Sequence, residues 1–105
     1  MIRHTVLFKL KSDVSKLEVE RIFTDILGLT NRLVGILAIT GGTCYFHDQD
    51  EGESQIFSHG FSIDFQDKKS RDAFVNNPIT HPVKNNILKI ADGGQAGIYG
   101  FDFGA

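Results

Sequence analysis

"IRHTVLFKL", residues 2–10, decides the fold: Ile2, Val6, Phe8 and Leu10 fall on one side of an extended chain, and Arg3, Thr5, Leu7 and Lys9 on the other. Successive side chains of a strand point to opposite faces, so a two-residue period marks a strand with one buried face. His4 belongs to the apolar side. In "FSHGFSIDF", residues 57–65, His59 likewise shares a side with Phe57, Phe61, Ile63 and Phe65. Any functional reading must explain two imidazoles on the apolar faces of two strands.

Strand one extends over about residues 2–11. Val14, Leu17, Ile22, Phe23, Ile26, Leu27 and Leu33 follow close to a helical period, Ser15 and Glu18 have capping-box spacing, and Gly35 is a stop signal. Residues 36–46, "ILAITGGTCYF", read as a second strand with a bulge or bend at Gly41-Gly42. "HDQDEGES", residues 47–54, reads as an exposed loop with His47 at the surface. Residues 56–65 form strand three. Asp67 caps a short helix, "KKSRDAFVNN", ended by Pro78. In "THPVKNNILKIAD", Thr80 or His81 caps another short helix, with Pro82 in its first turn and Asp92-Gly93-Gly94 as the exit. "AGIYGFDF" is the last strand.

The order β-α-β, β-α(α)-β predicts an α+β, ferredoxin-like split βαβ fold over residues 1–105 as a single domain. Its antiparallel four-stranded sheet carries helices on one face. Strands one and three are then the adjacent central pair, and His4 and His59 can be cross-strand neighbours. Ser58, Gly60, Ser62 and Asp64 on strand three, with Arg3, Thr5, Leu7 and Lys9 on strand one, make the other face poor in large apolar groups. That face is smooth enough for a second sheet, so homodimerisation through it is expected.

Composition narrows the function. A chain of 105 residues with 41% hydrophobic and 23% charged residues is ordinary for a globular domain. Eleven basic against 13 acidic residues, with no basic stripe, argue against a nucleic-acid partner. No apolar run approaches the roughly 20 residues of a membrane span. Met1 leads directly into strand sequence, leaving no room for a signal peptide, and the single Cys44 forms no internal disulfide or C-x-x-C pair. A cytoplasmic location is expected, with Cys44 as a small core residue. The acidic loop residues Asp48, Asp50, Glu51 and Glu53 offer hard oxygen ligands without EF-hand spacing. The glycine pairs lack a phosphate-loop context, so no cofactor and no metal are expected.

Burial leaves an imidazole neutral at pH 7, the state that a general base or a metal ligand requires. His81, in "NNPITHP", falls at the junction of the two short helices near one end of the sheet. Core imidazoles bonded to backbone or hydroxyl groups are the structural alternative.

"IRHTVLFKLK", "FSHGFSIDFQD", "AFVNNPITHPV" and "YGFDF" together resemble the stress-responsive A/B barrel domain (Dabb) family over nearly the whole chain. The resemblance implies a ferredoxin-like protomer whose dimer packs two sheets into an α/β barrel. It places the chain near cofactor-free monooxygenases and near the family's plant polyketide cyclase. The histidines of that cyclase match His4, His59 and, with one extra residue before it, His81. Its earlier helix-segment histidine is Asn77 here, and its tyrosine is Phe74, which has no hydroxyl.

Three functions follow as expectations. The first is a homodimer that binds a small, mostly apolar ligand between sheet and helices, with polar contacts from His4, His59 and His81 and apolar ones from Phe8, Phe23, Phe61 and Phe74. The second is a cofactor-free enzyme, cyclase-like or monooxygenase-like, on an aromatic or polyketide-like substrate, with His81 as base and His4 and His59 orienting. The third is a structural, stress-associated dimer with satisfied core histidines. A three-histidine metal site would require the imidazoles to converge.

Overall fold

The alternation of residues 2–10 is realised in β1 (Ile2–Phe8), one of four strands in an antiparallel sheet with β2 (Ile36–Thr43), β3 (His59–Phe65) and β4 (Ile98–Gly104). The strand order is β2-β3-β1-β4, so β1 and β3 are the central pair. The computed structural model describes residues 1–45 and 57–105. Phe46, His47, the acidic loop and the start of strand three at Ile56 lie outside the described residues.

Among the described residues, three α-helices, α1 (Lys16–Gly28), α2 (Lys68–Asn76) and α3 (His81–Ile90), complete a ferredoxin-like fold. Ile22 and Ile26 of α1 and Ile87 and Ile90 of α3 join Val6, Phe8, Phe61, Ile63 and Phe65 in one core. These strand residues are the same-face positions of β1 and β3, which puts the helices on the face that carries both histidines. Phe8, Phe65, Ile63 and Ile26 are fully buried, each contributing about 1.5–3 kcal/mol of burial free energy. Among the described residues, no helix is long and apolar enough to cross a membrane.

Local signals explain the helix ends. The Glu18 N–H donates to Ser15 Oγ at 3.1 Å, and the Ser15 N–H returns the bond to Glu18 Oε1 at 3.4 Å, completing the capping box. Asp67 accepts from the Ser70 N–H at 2.8 Å to start α2. Pro78, which cannot continue that helix, begins a 3-10 turn over Pro78–Thr80. Thr80 stands at the N-cap of α3, but its hydroxyl bonds backward, donating to the carbonyls of Phe74 and Asn77.

Other boundaries differ from the sequence reading. β1 ends at Phe8 because the chain turns from the sheet toward the end of α3, where Lys11 donates to the Ile90 carbonyl and Leu10 bridges Ala91. α1 stops at Gly28, followed by a 3-10 turn, and Gly35 lies beyond it in the left-handed region with φ 91°. The irregularity of β2 falls between Ile36 and Ala38. Gly41 and Gly42 are regular strand, paired with Phe61 and Gly60. Gly41 is needed for space instead, since a Cβ there would meet the Phe23 ring at 2.7 Å and Phe61 Cβ at 2.9 Å.

Gly41→Ala is therefore expected to cost about 1–3 kcal/mol through overpacking, read as a lower urea midpoint. An unchanged midpoint would show that Phe23 moves aside freely.

Candidate functional site

The register separates the two strand histidines. His4 lies opposite Ile63, and His59 opposite Phe8. They share a face but stand four residues apart along the strands, about 13 Å at 3.3 Å per residue. They are therefore not cross-strand neighbours, and each has its own surroundings.

His59 sits in an aromatic cluster. Its ring centroid is 6.0 Å from those of both Phe8 and Phe23, which are 6.2 Å from each other. Its Nδ1 lies 3.0 Å from Ser58 Oγ. Burial pushes the His59 pKa below its ordinary value and favours the neutral ring. This imidazole has a packing role among aromatic rings.

His4 faces a different constellation. Asp102 of β4 lies directly opposite it in register, and Nδ1 of His4 is 2.5 Å from Asp102 Oδ1. Arg71 reaches down from α2, with its NH2 group 2.6 Å from Asp102 Oδ2. An ionised carboxylate only accepts, so the neutral form of His4 carries its proton on Nδ1 and leaves the Nε2 lone pair free. The chain Arg71–Asp102–His4 thus fixes an imidazole in one tautomer. It also gives Asp102 a counter-charge from Arg71 on one side and a hydrogen-bond donor from His4 on the other.

His4 lines a cavity of about 400 Å³ between the sheet and the helices. Val6, Phe61 and Ile63 of the sheet, Ile26 of α1, Phe74 of α2 and Ile87 of α3 supply its apolar walls. Arg71, Thr80, Lys84 and Gln95 add polar groups. Gly100 of β4 also faces it and keeps the floor low. A Cβ at Gly100 would meet only ordinary contacts, at 3.8 Å from the Thr5 carbonyl and 3.9 Å from Val6.

Of the residues singled out from the sequence, His4, Phe61 and Phe74 meet at this cavity. Phe8, Phe23 and His59 do not line it, because their mutual packing fills the other end of the sheet. His81 does not line it either: it occupies the exposed first turn of α3. The three imidazoles therefore do not converge. Among the described residues, no group of three or more His, Cys, Asp or Glu side chains is placed to hold a metal ion. Cys44 is half-buried, and burial raises its pKa, which keeps it a thiol.

Asp102 and Arg71 are the site residues that sequence reasoning missed. The signal was the alternation of "IYGFDF", which turns Ile98, Gly100 and Asp102 inward and Tyr99, Phe101 and Phe103 outward. The opposite face of the sheet is consequently richer than strands one and three suggested. Tyr99, Phe101 and Phe103 form an exposed ladder with centroid spacings of 5.9 and 6.4 Å. Beside it, Arg3 pairs with Asp64 through two bonds of 2.7 and 3.0 Å and lies 5.8 Å from the Phe103 ring centre. This pairing holds the Asp64 pKa below the usual carboxylate range.

The sequence pattern of the family described as Stress responsive A/B Barrel Domain matches residues 2–103. No curated protein matches the chain. Many solved structures share its fold, among them the three that follow. The protein At3g17210 of Arabidopsis thaliana is 18% identical, with 100% of this chain and 95% of that one covered at a TM-score of 0.85. A dimeric ferredoxin-like protein of unknown function from Jannaschia sp. CCS1 is 20% identical, with 99% and 98% covered at 0.86. Hydroxynitrile lyase from Passiflora edulis is 19% identical, with 97% and 90% covered at 0.80. Likeness at these identities establishes the architecture alone.

The His59 shift sets a pH dependence. A histidine whose folded pKa is depressed contributes stability that is present above its unfolded value of about 6.5 and lost as pH falls through the folded value. Urea midpoints are expected to drop from pH 7.5 to pH 5.0, and His59→Phe to reduce that drop. An equal drop in the variant would assign the acid sensitivity elsewhere.

Proposed function

The chain belongs to the stress responsive A/B barrel domain family, Dabb, and we propose that it is a homodimer that binds a small, mostly apolar ligand in the cavity beside His4. The observation that carries this reading is the cavity itself: about 400 Å³ of apolar wall with one oriented imidazole. Small-molecule sites have this composition, a largely apolar lining with a few fixed polar groups, and volumes of about 300–1,000 Å³. The ligand offers an apolar body to Val6, Phe61 and Ile87 and a hydroxyl or other donor to Nε2 of His4.

Two features support dimerisation through the far face of the sheet. The aromatic ladder of β4 leaves large apolar side chains 40–57% exposed, more than an isolated face gains from. The small residues Gly60 and Ser62 of β3 let another sheet approach. The Jannaschia protein of the same fold is dimeric, which agrees with this reading.

The Arg71–Asp102–His4 chain favours a second reading, a cofactor-free enzyme. His4 then acts as the general base, Asp102 orients it and stabilises the imidazolium, and Arg71 holds the carboxylate. In this reading His4 takes the place expected for His81, which stands outside the cavity. The Passiflora edulis structure is of a lyase, an enzyme on the same scaffold. Turnover of phenolic or enolisable compounds, followed by absorbance, separates an enzyme from a carrier.

Gly100→Leu tests the ligand reading, since a Cβ there meets only ordinary contacts and the longer side chain extends toward the cavity. It is expected to reduce binding of small phenols at least tenfold while leaving the urea midpoint nearly unchanged. Undiminished binding would place the ligand elsewhere.

Phe101→Lys tests the interface and is expected to give a monomer in analytical ultracentrifugation. A dimer that survives this change does not use the β4 ladder.

Asp102→Asn is expected to cost about 1–3 kcal/mol of stability and to mix the His4 tautomers, read by ¹⁵N NMR. A tautomer still locked on Nδ1 would remove Asp102 as the orienting group.

A further inference from the structure

A second cavity, of about 310 Å³, lies on the other side of Phe74. Its walls include Leu33, Val34 and Ile36 before and at the start of β2, Ala73 of α2 and Ile79 of the following turn. Phe74 lines this cavity and also the one that holds His4. We propose that Phe74 is a specificity-determining partition, which confines the ligand to compact, ring-sized molecules and closes the second cavity to an unbranched apolar tail. This rests on the ligand reading given above.

The geometry favours a fixed partition over a swinging one. The Phe74 ring meets the fully buried Phe65 ring edge-on, with centroids 5.1 Å apart, and lies 6.3 Å from the His4 ring on its other side. Its neighbour one helical turn earlier is Arg71, which is tied to Asp102 and so pins α2 to the sheet at that point. The Phe74 carbonyl itself accepts from the hydroxyl of Thr80, six residues on and beyond the helix. Displacing the ring would forfeit the contact with Phe65 against a backbone held on both sides. Without the ring, the first cavity would continue into the second beneath α2, a joint space near the middle of the usual range for small-molecule sites.

The test is a series of 4-alkylphenols, from methyl to nonyl, titrated by calorimetry against the wild-type chain, Phe74→Leu and Phe74→Ala. While a growing chain still buries methylenes, affinity rises about fourfold per CH₂. The wild type is expected to gain over the shortest members and then level off. Phe74→Ala should keep gaining for several further methylenes, with Phe74→Leu between the two. Adding Ala73→Leu to Phe74→Ala, which fills the second cavity from its own wall, should bring the plateau back. Phe74→Leu keeps the inference testable if the alanine variant unfolds.

Identical plateaus in wild type and Phe74 variants would overturn the partition while leaving the ligand reading intact. So would a wild type that goes on gaining to nonyl, since the ring then moves aside. If no alkylphenol binds to any of the proteins, the ligand reading falls and this inference falls with it.

Discussion

A carboxylate turned toward the apolar side of the sheet governs the polar end of this molecule. Asp102 faces inward because β4 alternates out of step with its own hydrophobicity: its aromatic residues point away from the helices, and its glycine and aspartate toward them. A carboxylate half-withdrawn from water is costly unless charged or hydrogen-bonded partners replace the lost hydration. Arg71 and His4 are those partners, and they come from opposite layers of the fold. One ionic cluster thereby ties α2 to the sheet, sets the tautomer of an imidazole and defines the polar wall of a cavity.

The two histidines on one face turn out to have different answers. At the His59 end, three rings pack against one another, and the missing Cβ of Gly41 on β2 leaves room for the Phe23 ring. That end is core, and its imidazole is held neutral by burial. At the His4 end, the inward residues of β4 are small or charged, and space remains. The same sheet face is thus divided along its length into a filled half and a hollow half. Register alone assigns each histidine to one of them.

Much of the architecture was legible in the sequence because its signals are local. The period-two alternation of residues 2–10 and 57–65, the Ser15–Glu18 capping box and the Asp67 cap each depend on neighbours within a few positions. The candidate site was less legible because it is made by pairing. Nothing near His4 in sequence shows that Asp102, at the far end of the chain, lies opposite it, or that Arg71 reaches the same carboxylate. His81 read as a candidate from its position between helices, yet a helix start projects its first turn outward as readily as inward. Gly41-Gly42 looked like a bend because glycine usually relieves backbone geometry, whereas here Gly41 relieves a side-chain contact from another layer.

The Arg3–Asp64 pair on the far face carries a further consequence. Its two bonds satisfy both charges within one chain, with the guanidinium over the Phe103 ring. A surface that meets this face inherits no unpaired charge to neutralise, only a fixed polar landmark amid small and aromatic residues. Such a landmark adds little attraction, but it penalises every approach that slides an apolar group over it or wedges the two partners apart. Its contribution is to choosing one docking orientation among several of similar contact area. In the proposed dimer, the face would serve alignment as much as adhesion.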